Sequence, residues 1–229
     1  MSKQASGRNV ITFDSFTTLV DALGAMERAL EPYTDDPDPV VACWRSRAVA
    51  YRMMCNFTEE YGTYLETTRD ALTYALELHD VELSRSDVDN AIAEFHELRI
   101  FDDVTPCMAQ LYSDGYELYI ASNGTSDLLE SIVSRADVDE YVTDTISANE
   151  IRTYKPSVAF YEHVSERTGA PLDHITHVAT PWYDVSGAMN AGMDGVWVNR
   201  RGNPWETFGS APDSTVSDLA ELVSELSVQ

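Results

Sequence analysis

From residue 104 onward the chain alternates strand-like and helix-like stretches, and no other feature of the sequence constrains the fold as tightly. Strand character falls at residues 116–121, 143–147, 174–179 and 195–199. Helical character falls at 107–113, 126–135, 158–168, 185–191 and 217–226. Such alternation predicts an α/β fold, a doubly wound parallel sheet with helices on both faces. A β-prone run at residues 9–13 supplies one more strand ahead of it. Between residues 40 and 98 the pattern is helical instead. Tyr61, Tyr64, Leu65, Thr68, Leu72, Ala75, Leu76 and His79 recur at three- and four-residue spacing, an amphipathic stripe. Ser84 with Asp87 opens another helix carrying Val88, Ile92, Phe95 and Leu98. The expected division is a core of residues 1–21 and 100–229 with a helical cap, residues 22–99, inserted over the carboxyl edge of the sheet, where such folds place their sites. Asp35-Asp36-Pro37-Asp38-Pro39 reads as an acidic turn leading into the cap.

Charge and composition narrow the function. In 229 residues, 39 acidic against 15 basic side chains give a net charge of −24, which repels phosphate and argues against a nucleic-acid partner. At 44% hydrophobic residues the chain has enough apolar matter for a core. No apolar run approaches the ~20 residues of a membrane span, and residues 1–10 lack a signal-type apolar region. Cys43, Cys55 and Cys107 have no C-x-x-C spacing, which fits a reducing cytoplasm without a metal cluster. The acids are spread along the chain, so the surface repels itself at ordinary salt. This reads as adaptation to a salt-rich cytoplasm, as in halophilic archaea. Only Lys3 and Lys155 are lysines, against thirteen arginines. Lys155 is therefore the one lysine expected in the folded body, and a candidate for chemistry.

Four stretches fall near the ends of the expected strands: Phe13-Asp14-Ser15-Phe16-Thr17-Thr18-Leu19, Ala121-Ser122-Asn123-Gly124-Thr125, Thr153-Tyr154-Lys155-Pro156, and Trp182-Tyr183-Asp184 followed by Gly187 and Gly192. In order and content they resemble the haloacid dehalogenase superfamily, and within it the L-2-haloacid dehalogenase branch. Trp44-Arg45 and Tyr64 with Arg69-Asp70-Ala71-Leu72 extend the resemblance into the cap. It implies a cofactor-independent hydrolase that converts short L-2-haloalkanoic acids to D-2-hydroxy acids and halide. Asp14 is the implied carboxylate nucleophile, since displacing halide from saturated carbon needs a carboxylate held in line with the breaking bond. Lys155 is its implied cation, and Thr18 and Ser122 are implied hydroxyl donors to the nucleophile or to the substrate carboxylate. Arg45 and Asn123 are implied to receive the halide. Arg47 and Arg52 share the helix of Arg45, and each of the three also reads as a surface ion-pair residue. Phe16, Val49, Tyr64 and Tyr183 match the apolar wall of the pocket. Asp184 is implied to hold Lys155 and to act as base on water, with Thr180 assisting; an aspartate there also reads as a helix cap. A homodimer built partly on cap helices is a further implication.

Two departures qualify the match. The glycine usual after the aromatic is Thr17, which restricts the backbone. Ala179 and Pro181 stand where family members place the hydrolytic water with serine and asparagine, so the hydrolytic half is expected to be slower or differently organised. A metal-dependent phosphatase of the same superfamily is an alternative. It would carry a second aspartate two residues after the nucleophile, and Phe16 occupies that position; Thr180-Pro181 replaces its Gly-Asp pair. His174 and His177, three apart on an expected strand, should face opposite ways and hold no common ion. A catalytically impaired binding or scaffold protein is the remaining alternative.

Overall fold

The structure, a computed structural model, describes residues 10–226. Among these, β1 (Val10–Phe13), β2 (Glu117–Ser122), β3 (Val142–Ser147), β4 (Ile175–Ala179), β5 (Asp194–Val198) and β6 (Ser214–Val216) pair in parallel in the order β3-β2-β1-β4-β5-β6. The chain winds outward from β1 through β2 to β3, then returns to the other side of β1 and winds outward again. The order therefore reverses at β1 and β4, the point at which the loops leaving the two strands diverge and open a crevice.

Alternation along the strands feeds two cores. On one face Ile11, Phe13, Leu118 and Ile120 pack with residues of α5 (Val104–Ser113), α6 (Ser126–Ala136) and α9 (Leu219–Leu226). On the other, Val10, Tyr119, Ala121 and Ile175 pack with residues of α7 (Val158–Thr168) and α8 (Trp182–Ala191). The sheet is doubly wound, as the alternation predicts.

Between β1 and α5 lie α1 (Ala22–Leu30), α2 (Asp38–Cys55), α3 (Tyr64–Leu78) and α4 (Arg85–Ala93). Local chemistry starts each of them. Asp21 accepts from Gly24 N at the head of α1, Pro37 precedes α2, and Thr63–Glu66 and Ser84–Asp87 form reciprocal capping boxes on α3 and α4. On α2 the buried Val40, Trp44, Ala48 and Arg52 recur every four residues and face α3. The Trp44 indole donates to Thr68 O at 2.8 Å. Burying a side chain of this size contributes about 2–3 kcal/mol. Leu30, Trp44, Leu72 and Ile92 join the first core without a break. None of the helices among the described residues is long and apolar enough to cross a membrane.

The structure corrects several expectations. α1 and β6 were not foreseen. α5 begins at Val104, so Pro106 sits in its first turn, where a missing N–H breaks no helical bond. α8 begins at Trp182 with Pro181 as its cap, so Asp184 is a first-turn residue and not the cap. Lys155 follows β3 by way of a short 3₁₀ turn, on the loop leading to α7 rather than at a strand end. His174 ends the 3₁₀ turn before β4, so only His177 is a strand residue.

Candidate active site

Asp14 follows β1 directly, its amide donating to Val178 O of β4 at 3.0 Å. The chain then closes a tight loop in which Ser15 O accepts from Leu19 N at 2.8 Å and Thr17 N donates to Val20 O at 2.9 Å. Thr17 takes φ = 70°, a left-handed backbone that a β-branched residue adopts only under strain, and its buried hydroxyl has no partner among the described residues. Thr18 Oγ1 accepts from Thr180 N at 2.9 Å, which directs its own hydrogen to Asp14 Oδ2, 2.9 Å away. The loop after β1 is thus tied to the end of β4.

Lys155 projects into this crevice with a side chain only 1% exposed. Its ammonium donates to Asp14 Oδ1 (2.8 Å), Ala121 O (2.9 Å) and Asp184 Oδ2 (2.5 Å), which uses all three hydrogens. Its backbone N–H donates to Asn123 Oδ1 at 2.9 Å, joining the loops after β2 and β3. Asp184 Oδ1 accepts from Tyr161 OH at 2.9 Å and from His177 Nε2 at 3.0 Å. Burial works against the charge of Asp184, but Lys155 and then His177 outweigh it, and the carboxyl titrates well below the usual range. Asp14 differs. Burial lifts its carboxyl above the ordinary value, Lys155 opposes this, and the neighbouring Asp184 adds to the rise. For Lys155, burial disfavours the ammonium, yet Asp14 and Asp184 together carry its pKa upward. The site therefore holds one ammonium between a strongly ionised carboxylate and a strained one.

Beside this network is a cavity of about 60 Å³ lined among others by Phe16, Val49, Arg45, Arg52, Tyr64 and Tyr183. Phe16 stacks on Tyr64 at 4.2 Å and 11°, and the Arg52 guanidinium lies 3.8 Å over the Tyr64 ring. Arg52 is buried and also donates to Thr67 Oγ1, Tyr64 O and Thr68 Oγ1, so it is no surface ion-pair residue. A larger cleft of about 780 Å³ shares Thr17, Leu23, Arg45, Val49 and Tyr183 with the small cavity. Asp14 lines neither, and its side chain is 7% exposed, so the ion-pair network lies behind the wall of these cavities.

The model of the haloacid dehalogenase-like hydrolase family matches residues 37–198. This chain belongs to that family. Among curated relatives, (S)-2-haloacid dehalogenase 4A of Burkholderia cepacia is 27% identical over 210 residues, covering 92% of this chain and 91% of that protein. (S)-2-Haloacid dehalogenase 2 of a Pseudomonas strain is 28% identical, covering 93% of each. A crystal structure of an L-2-haloacid dehalogenase superposes with a TM-score of 0.92 at 26% identity, over 97% of this chain and 100% of that one. The Xanthobacter autotrophicus L-2-haloacid dehalogenase with chloropropionic acid covalently bound shares the fold, with a TM-score of 0.86 at 23% identity over 96% and 98% of the two chains.

In this member of the haloacid dehalogenase-like family, Asp14, Thr18, Lys155 and Asp184 meet in one hydrogen-bonded network, with Asn123 attached through Lys155. Phe16, Val49, Tyr64, Tyr183 and Arg45 meet around the small cavity. Ser122 makes its contacts to the loops on either side. Its hydroxyl is fully buried, 2.5 Å from Ser15 Oγ, and accepts from Gly124 N, so it braces two loops and does not touch Asp14. Arg45 is exposed at the cavity mouth and has no ion-pair partner among the described residues. Phe16 is an aromatic wall and not an acid, and no group of three His, Cys, Asp or Glu among the described residues comes together to hold a metal ion. The sequence reading missed Ser15, Arg52, Tyr161 and Arg200, and weighed His177 only as a metal ligand. Arg200 donates to Thr18 O at 2.9 and 3.2 Å and to both oxygens of Asp103. An isolated aromatic or arginine gives no signal for such roles, because the partners lie on other elements.

Proposed function

We propose that the protein is an L-2-haloacid dehalogenase that acts through an aspartyl ester. The observation that carries this reading is the buried ammonium of Lys155 shared by Asp14 and Asp184, beside an aromatic pocket with arginines at its wall and mouth. The named relatives support the same chemistry. One Asp14 oxygen attacks C2 of the haloalkanoate, a C–O bond forms, the C–X bond breaks, and halide leaves with inversion toward Arg45 and the Asn123 amide. Water then attacks the ester carbonyl carbon and gives a proton to Asp184. The ester C–O bond breaks, the departing oxygen takes a proton, and a D-2-hydroxy acid leaves with Asp14 restored. Phe16, Val49, Tyr64 and Tyr183 hold the alkyl part and exclude water, and residues 22–99 act as the cap over the site.

The test is halide release from (S)-2-chloropropionate and (S)-2-bromopropionate at high salt, with intact-protein mass spectrometry of quenched samples. Wild type should gain the mass of the dehalogenated acid on Asp14, and Asp14→Asn should lose about 10³-fold or more in rate. Full halide release by Asp14→Asn would refute the scheme. Magnesium-dependent phosphate release in place of halide release would favour the superfamily phosphatase.

A further inference from the structure

His177 is buried to 1% exposure on β4, and strand register sets it directly beside Thr12 of β1. Its Nδ1 lies 2.8 Å from Thr12 Oγ1 and its Nε2 lies 3.0 Å from Asp184 Oδ1. An ionised carboxylate only accepts, so Nε2 carries the hydrogen toward Asp184, and the Thr12 hydroxyl satisfies Nδ1 in either protonation state of the ring. Hydrogen bonds run unbroken from Thr12 through His177, Asp184 and Lys155 to Asp14, two residues beyond Thr12 on the chain. Tyr161, whose one phenolic hydrogen is shared between Oδ1 and the backbone O of Asp184 at 2.9 Å each, packs its ring edge-on 5.9 Å from the imidazole. With two donors on Oδ1 and only Lys155 on Oδ2, the remaining acceptor site of Asp184 is on Oδ2, beside the nucleophile.

We infer that His177 is a positioning residue for the hydrolytic half-reaction: it locks Asp184 through Oδ1 so that Oδ2 receives the proton of the attacking water. This rests on the dehalogenase reading. Ala179 and Pro181 offer no side-chain donors to orient that water, so the orientation of its base matters more. As water oxygen bonds to the ester carbonyl carbon, one hydrogen passes to Asp184 Oδ2. As the ester C–O bond breaks, that proton goes to the departing oxygen, and the remaining water proton leaves to solvent when Asp14 returns to carboxylate. The alkylation half uses no water. Asp14 meets it with Lys155 and Thr18, while the side-chain hydrogen bonds of His177 go to Thr12 and Asp184.

The two halves are separable by experiment. His177→Asn keeps a group at Nδ1 for Thr12 and cannot reach Asp184; His177→Phe removes both contacts; His177→Gln keeps a donor in reach of Asp184. Rapid-quench halide release and steady-state turnover of (S)-2-bromopropionate are measured for each, with intact-protein mass. The Asn and Phe variants should release the first equivalent of halide within about twofold of wild type, turn over about 10- to 100-fold more slowly, and accumulate the ester. The Gln variant should recover much of the turnover. Equal loss of both phases in the Asn variant, or no loss in either, overturns the inference while leaving the dehalogenase reading intact. A wild-type protein that releases no halide overturns that reading and the inference with it.

Discussion

Asp14 and Asp184 accept from one ammonium, yet their ionised forms act on stability in opposite directions. The Asp14 carboxyl is raised in the folded state, so holding it ionised near neutral pH costs stability. Asp184 is lowered, so its contribution is complete above the ordinary carboxyl value of about 3.9 and is lost as pH falls through its lower folded value. Lys155, raised, contributes fully below about pH 10.4 and loses that contribution as pH climbs through its folded value. Thermal unfolding at neutral pH and matched salt should show Asp14→Asn closer to wild type than Asp184→Asn, because losing the Asp14 charge removes its own burial cost even as it takes a partner from Lys155. Asp184→Asn should be less stable by about 3 kcal/mol, since it leaves a buried cation short of a partner. An Asp14→Asn variant as destabilised as Asp184→Asn would contradict the raised carboxyl.

At the scale of elements, the loop from Asp14 to Val20 is held from outside by Arg200, on the turn after β5. Its guanidinium clamps Thr18 O, pairs with Asp103 just ahead of α5, and lies 4.2 Å over the Phe101 ring; Asp103 also accepts from Leu219 N at the start of α9. Three elements and the loop meet at one half-buried ion pair. Arg200→Ala should cost about 3 kcal/mol in urea unfolding and slow turnover, because Thr18 loses its fixed carbonyl. A variant that keeps both stability and rate would show that the loop needs no such clamp. The same scale explains what was legible in the sequence. The strands and long helices of the second half were readable because period-2 and period-3.6 patterns are local. α1 carries Gly24 inside it, which lowers its helix propensity, and β6, three residues, is too short for a periodic signal. Asp14, Thr18, Lys155 and Asp184 were readable because each lies within a contiguous stretch. Ser15, Tyr161 and His177 were not, because their roles arise from pairing across elements: Thr12 opposite His177 in the β1–β4 register, and Tyr161 of α7 reaching Asp184 of α8. Gly187 permits that last approach. A Cβ there would fall 2.5 Å from the Tyr161 hydroxyl, a need that only the assembled helices reveal.

For the whole molecule, the net charge of −24 opposes the compact state through self-repulsion. Raising KCl from 0.1 M to 1 M shortens the screening length from about 10 Å to about 3 Å and relieves repulsion among the dispersed acids. The unfolding midpoint should rise by about 5 °C or more over that range. A midpoint independent of salt would argue against adaptation to a salt-rich cytoplasm.

Since every hydrogen of the Lys155 ammonium is engaged and the side chain is 1% exposed, the amine is out of reach of acylating reagents while the fold is closed. Its tagging by such a reagent would proceed only from opened molecules, at a rate that tracks the opening equilibrium when reclosure is fast. With Lys3 as the sole other lysine of the chain, a single peptide mass would then serve as a native clock for breathing at the Lys155 crevice, with no dye or engineered probe required.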